Sequence, residues 1–139
     1  MANDFAGIHH LALYTRDLDR TLDFYNSVLG LDVSDVFGSP RGRHAFVHLE
    51  PTSSGRRGLH FWENRELTPP DTKTRLTSFS SGPGPLAHLA LYQPNAQVVA
   101  DLRERLDVDG IPTFEFPELG TFGFSDPNGI MVEIVPDAT

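Results

Sequence analysis

The chain has no cysteine among its 139 residues. Disulfides and thiolate ligands are thereby excluded, so any metal it holds must rest on histidine and carboxylate. Basic residues are scarce as well: 11 Lys and Arg stand against 19 Asp and Glu, for a net charge of −8. A nucleic-acid partner needs a basic face to meet phosphate, and an anionic membrane surface needs a basic tract; the sequence offers neither. No apolar run reaches the roughly 20 residues of a membrane span. The opening MANDFAG has no signal-peptide core, so a cytoplasmic location is expected. What is present is ordinary for a globular protein, with 39% hydrophobic and 22% charged residues in a length suited to one domain.

Against that background one feature stands out. The pentapeptide HLALY occurs at His10 to Tyr14 and again at His88 to Tyr92. Recurrence of this kind marks a duplicated unit, and the residues downstream of each copy agree. After the first, Asp17 is placed to cap a helix whose apolar stripe is Leu18, Thr21, Leu22, Tyr25, Val28 and Leu29, with Gly30 as terminator. After the second, Pro94 and Asn95 open a helix with the stripe Val98, Val99, Leu102 and Leu106, closed by Gly110. Strand-like runs come next at 31–36, 43–49 and 58–63 in the first half, and at 111–116, 121–125 and 130–135 in the second. Asp126-Pro127-Asn128-Gly129 suits a tight reversal between the last two.

The expected architecture is α+β, a single domain over 1–139 built of two βαβββ modules. Module one covers about 7–64 and module two about 86–136. The connection at about 65–85 holds Pro69, Pro70, Pro83 and Pro85, and is either a linker or a lid.

Side chains alternate faces along a strand. His10, Ala12 and Tyr14 therefore share one face and Leu11 and Leu13 the other. His88, Ala90 and Tyr92 repeat the pattern. His60 and Trp62 oppose Leu59 and Phe61, and Glu133 opposes Val132 and Ile134. Four times an apolar pair points towards the helices while one metal-competent side chain points away, and the alanines beside His10 and His88 leave open volume. A lone strand histidine is more often structural than ligating, roughly four times in five. The case rests on related positions in both halves. Three imidazoles and one carboxylate suit one divalent ion such as Fe, Mn, Ni, Co or Zn, and metal affinity is expected to drop below roughly pH 6, as imidazoles protonate.

Of the remaining histidines, His9 lies on the opposite face from His10 and is expected to be structural. His44 and His48 share a face of the third strand and either line the cavity as acid–base groups or face solvent. Phe122 and Phe124 share a face in the seventh strand and serve as pocket wall or as ordinary core.

These residues carry a resemblance. The opening segment, with His10, Asp17, Phe24-Tyr25 and Leu29-Gly30, and the closing segment from Phe124 through Asp126-Pro127-Asn128-Gly129 to Glu133 are similar to the vicinal oxygen chelate superfamily. That superfamily includes glyoxalase I, extradiol dioxygenases, fosfomycin-resistance enzymes and bleomycin-resistance proteins. The resemblance implies a curved, cupped mixed sheet with helices outside, and metal positions on the first, fourth, fifth and eighth strands that fall on His10, His60, His88 and Glu133. Bacterial-type glyoxalase I carries Glu where this chain has His60. Fosfomycin-resistance enzymes carry Thr where it has Ala12, and a basic residue beyond the last Glu where it ends IVPDAT. Extradiol dioxygenases would match through His10, His88 and Glu133.

The resemblance thus implies a metal-dependent enzyme, a glyoxalase-like lyase or isomerase or an Fe(II) ring-cleaving dioxygenase, acting on a small substrate that chelates through two oxygens. Glu133, Tyr92 and His48 are the expected catalytic groups, and Tyr14, Trp62 and Phe124 the expected pocket wall. A homodimer is expected. The competing reading is a metal-free drug-binding protein with an apolar groove.

Overall fold

The computed structural model describes residues 4–51, 54–68 and 86–136. Most of the proline-rich connection lies outside them. The chain divides into two compact units, one ending at Leu67 and the other beginning at Thr68.

The first unit starts with edge strand β1 (His10–Thr15), which runs parallel to β4 (Gly58–Glu63). Helix α1 (Leu18–Asp23) lies between them in sequence, as parallel strands require a crossover. Asp17 caps it, accepting from the Arg20 N–H at 3.0 Å. The helix then widens into a π-helical turn over Phe24–Val28, where a single α-helix was expected. This places Tyr25 fully inside, its ring 5.5 Å from that of Phe61. Leu18, Leu22, Tyr25 and Val28 meet the sheet face formed by Ala45, Val47, Leu59 and Phe61, all buried. Glu63 pins the helix start by accepting the Leu18 N–H at 2.9 Å. Burial alone would push that carboxyl up, but the Leu18 N–H, Arg65 and Arg43 outweigh it and hold it below its ordinary value.

The sheet order is β1-β4-β3-β2, with β3 at Gly42–Val47 and β2 at Phe37–Ser39. The strand expected at 31–36 is thus displaced. That stretch touches β3 through one bridge, Val33 to Val47, and regular pairing resumes only at Phe37 opposite His44. Alternating polarity marks extended chain but not where its ladder is interrupted.

The second unit repeats the order as β5-β8-β7-β6. Its strands are β5 (Leu89–Tyr92), β6 (Phe114–Phe116), β7 (Thr121–Ser125) and β8 (Met131–Val135). Strand β6 is shorter than the expected 111–116. Helix α2 (Ala96–Val108) is capped by Asn95, which accepts from the Gln97 and Val98 N–H groups. Leu102 and Leu106 are buried, while Val98 is exposed, so the stripe is narrower than expected. The Arg103 guanidinium lies 3.8 Å over the Phe122 ring. Asp126 is buried and accepts from both Asn128 N–H and Ile130 N–H at 2.8 Å, locking the expected reversal before β8.

Because β1 and β5 are edge strands, the leucines of the repeated pentapeptide are not core residues as expected. Leu11 is exposed, and Leu13, Leu89 and Leu91 are half-buried. Among the described residues no helix is long and apolar enough to cross a membrane.

Candidate metal centre

Register decides which side chains are neighbours. Residues paired directly across strands point to the same face. In the first unit Ala12 pairs with His60, which pairs with Phe46; one rung along, Tyr14 pairs with Trp62, which pairs with His44, which pairs with Phe37. His10 sits opposite Gly58 on this face. The helix covers the other face.

The second unit follows the same plan. Ala90 pairs with Glu133, which pairs with Gly123; one rung along, Tyr92 pairs with Val135. His60 and Glu133 therefore occupy equivalent positions, each opposite the alanine of its own HLALY copy. Each also lies beside the histidine that opens that copy. The His10 and His60 ring centroids are 5.5 Å apart, and His88 Nε2 lies 3.6 Å from Glu133 Oε1.

His60 is buried, and its ring stacks on Phe46 with centroids 4.1 Å apart. Its Nε2 lies 2.9 Å from His44 Nδ1. Burial first, then the neighbouring charges of His44, His10 and Arg56, push the His60 pKa down to about 4. Burial, assisted by Arg56, also lowers that of His44. The pair is neutral at neutral pH, the state in which imidazole coordinates metal. Glu133 is also buried, and its Oε2 accepts from the Thr121 hydroxyl at 2.7 Å.

The other expected site residues fall differently. Tyr14 and Tyr92 are exposed and Trp62 half-buried, each on the face of its unit's donors. Phe124 is not a pocket residue: it pairs with Val132 on the face opposite Glu133 and is fully buried. His48 follows β3, and its Nε2 meets the Gly55 carbonyl at 3.0 Å, which commits that nitrogen to the loop before β4. His44, the other histidine of that pair, is the one against His60. His9 does not serve the opposite face; it is exposed, with its Nδ1 2.9 Å from His10 Nδ1. Thr121 carries no signal in the sequence, since threonine is ordinary in strands. Among the described residues no group of three His, Asp or Glu side chains is gathered for one ion. Each unit by itself presents a pair.

Refusal of a proton by His60 makes stability depend on pH. Between pH 6.5 and about 4 the unfolded chain is protonated at this residue while the folded one is not. Stability therefore falls as pH drops through that window, by on the order of 3 kcal/mol at its lower end. Urea unfolding of chelator-treated protein at both limits measures it. His60→Phe, which keeps a ring on Phe46 but cannot titrate, should show a clearly smaller drop; an equal drop assigns the effect elsewhere.

The Glyoxalase/Bleomycin resistance protein/Dioxygenase superfamily model matches residues 7–134, nearly the whole chain. The chain belongs to that superfamily. A possible glyoxalase from Bacillus cereus is 21% identical, with a TM-score of 0.66 over 94% of this chain and 99% of the other. A variant of the fosfomycin resistance protein FosX from Listeria monocytogenes, complexed with Mn(II) and dihydroxypropylphosphonic acid, is 15% identical, with a TM-score of 0.66 over 96% and 94%. An antibiotic-binding protein from Streptomyces is 17% identical, with a TM-score of 0.60 over 96% and 97%. At these identities the likeness is one of fold. A comparison with curated protein sequences returns no match.

Proposed function

We propose that this superfamily member is a divalent-metal-dependent enzyme acting on a small substrate that chelates through two oxygens. His10, His60, His88 and Glu133 would hold the ion. The observation that carries this reading is the equivalence of His60 and Glu133 across the duplication, each with a histidine of the repeated pentapeptide beside it. Two imidazoles from one unit and a histidine–carboxylate pair from the other would make a donor set suited to a borderline ion such as Fe, Mn, Ni, Co or Zn. The FosX relative bound to Mn(II) supports it by analogy.

When bound, such an ion polarises substrate oxygens as a Lewis acid. The chain's own residues would do the rest. Ala12 and Ala90 leave room over the donor faces, and the Trp62 and Tyr14 rings supply an apolar wall. The exposed Tyr92 hydroxyl, on the face of Glu133, would hold or pass a proton. Both a glyoxalase-like isomerase or lyase step and a ring cleavage fit this arrangement. The reading takes a homodimer as the assembly.

Elemental analysis of protein grown in metal-replete and metal-free medium, beside His60→Ala, tests it. About one ion per chain in the replete wild type, and less in the variant, is expected; no ion in either preparation ends the enzyme reading.

One observation favours a second reading, ligand binding without metal. Four aromatic rings, Tyr14, Trp62, His44 and Phe37, run in one row across all four strands of the first unit. His44 stacks on Trp62 at 4.1 Å, and the Arg56 guanidinium lies 6.0 Å over Phe37. Such a row suits a flat apolar ligand. Since Trp62 is the chain's one tryptophan, ligand-induced quenching of its fluorescence that survives excess chelator would support this alternative.

A further inference from the structure

The two candidate donors on β4 and β8 are held in the same way by a residue that the superfamily match does not assign. His44 stands two residues before Phe46, the direct partner of His60 on β3. Thr121 stands two residues before Gly123, the direct partner of Glu133 on β7. His44 and Thr121 are therefore equivalent positions of the duplicated unit. Both are buried, and each makes a short hydrogen bond to the donor on the next strand, at 2.9 Å to His60 Nε2 and 2.7 Å to Glu133 Oε2. The side chains differ in kind, imidazole against hydroxyl, as do the donors they hold. What the duplication keeps is the contact.

We propose that His44 and Thr121 are paired positioning residues that dedicate one atom of each donor to the fold and leave the other for a divalent cation. The inference rests on the metal-centre reading above. In the second unit the division is direct: Thr121 occupies Oε2, while Oε1 is the oxygen turned towards His88. In the first unit it fixes a tautomer. His60 Nε2 is engaged by His44, so a ligating His60 must use Nδ1 and carry its proton on Nε2. It then donates to Nδ1 of His44, whose own proton sits on Nε2. A neutral histidine with the opposite tautomer would present N–H to the cation and could not bind it. Metal-bound histidines generally need such a partner on the second nitrogen, and loss of one typically weakens binding roughly 10–100-fold.

The test uses the full chain freed of metal, with Co(II) as probe, followed by calorimetry and visible absorption. Thr121→Val and His44→Phe should each weaken Co(II) binding roughly 10–100-fold and broaden its spectrum. Thr121→Ser, which keeps the hydroxyl, and His44→Asn, which keeps an acceptor near the Nδ1 position, should restore most of that loss. Nitrogen NMR of the metal-free protein gives a readout independent of any ion. The His60 proton should reside on Nε2 in the wild type and be shared between tautomers in His44→Phe. Wild-type affinity in both disabling variants, or a His60 proton on Nδ1, overturns the assignment while leaving the metal centre standing. Failure of the wild type to bind Co(II) overturns both.

Discussion

Glu133→Ala should reduce Co(II) affinity by roughly a hundredfold or more, beyond the effect expected of any neighbour that merely orients a donor. Glu133 is the one carboxylate in the proposed set of four, so its removal deletes both a ligand and the site's only formal negative charge. It is also buried, and Ala90 and Gly123, its partners on either side, carry no group that could replace it. Water entering the gap would bring neither charge nor the fixed orientation that Thr121 imposes on Oε2. Competition between the protein and a colorimetric Co(II) chelator measures the change. Glu133→Gln separates its components, because the amide keeps the shape and a carbonyl oxygen but loses the charge. A Gln variant as weak as the Ala variant assigns the loss to charge, whereas wild-type affinity in the Ala variant removes Glu133 from the centre.

Much of this arrangement is legible in the residues alone. The recurrence of HLALY divides the chain into equivalent halves, and the period of two puts His10, His60, His88 and Glu133 each on the face away from its apolar neighbours. Helix caps at Asp17 and Asn95 and the reversal at Asp126 are likewise readable, because each depends on side chains within a few residues. Register is not readable in this way. Alternation says that His44 and His48 share a face, but not which of them meets His60. Phe46 pairing with His60 leaves both one rung away, so the answer depends on where the strand ends. β3 stops at Val47, His48 turns its Nε2 to the loop carbonyl of Gly55, and His44, still within the ladder, meets His60. The same gap misplaces Phe124, whose alternation with Gly123 is clear but whose face is settled only by its pairing with Val132.

The leucines of the pentapeptide show a second limit. Their polarity predicts burial, yet burial depends on where a strand lies in its sheet. At an edge, one flank has no neighbouring strand, and a leucine can remain as open as Leu11, at 42%. Periodicity carries the face of a side chain and says nothing of its neighbours across the ladder. The π-helical turn at Phe24–Val28 is invisible for a related reason: a stripe at 18, 21, 22, 25 and 28 suits an α-helix, and the widened turn arises where the chain packs Tyr25 against Phe61.

Gly58→Ala is expected to destabilise the folded state by about 4 kcal/mol or more. Two independent penalties meet at this residue. Its φ of +107° lies where an L side chain is strained. A Cβ there would also lie 2.0 Å from the Val47 carbonyl oxygen and 3.1 Å from its carbon. Those are backbone atoms of β3, so no side-chain rotation relieves the overlap, and β3 and β4 would have to separate where β4 begins. The same residue donates its N–H to the His9 carbonyl at 3.0 Å and sits in register with His10. A displaced Gly58 therefore moves a proposed metal donor as well as the ladder. Gly120, also at positive φ, is the control: a Cβ there meets nothing within 4 Å, so alanine brings backbone strain without overlap. Urea unfolding of the two variants compares them directly. Gly120→Ala should lose about 1–2 kcal/mol, and a Gly58→Ala variant losing no more than that would mean that β4 enters the sheet by another path.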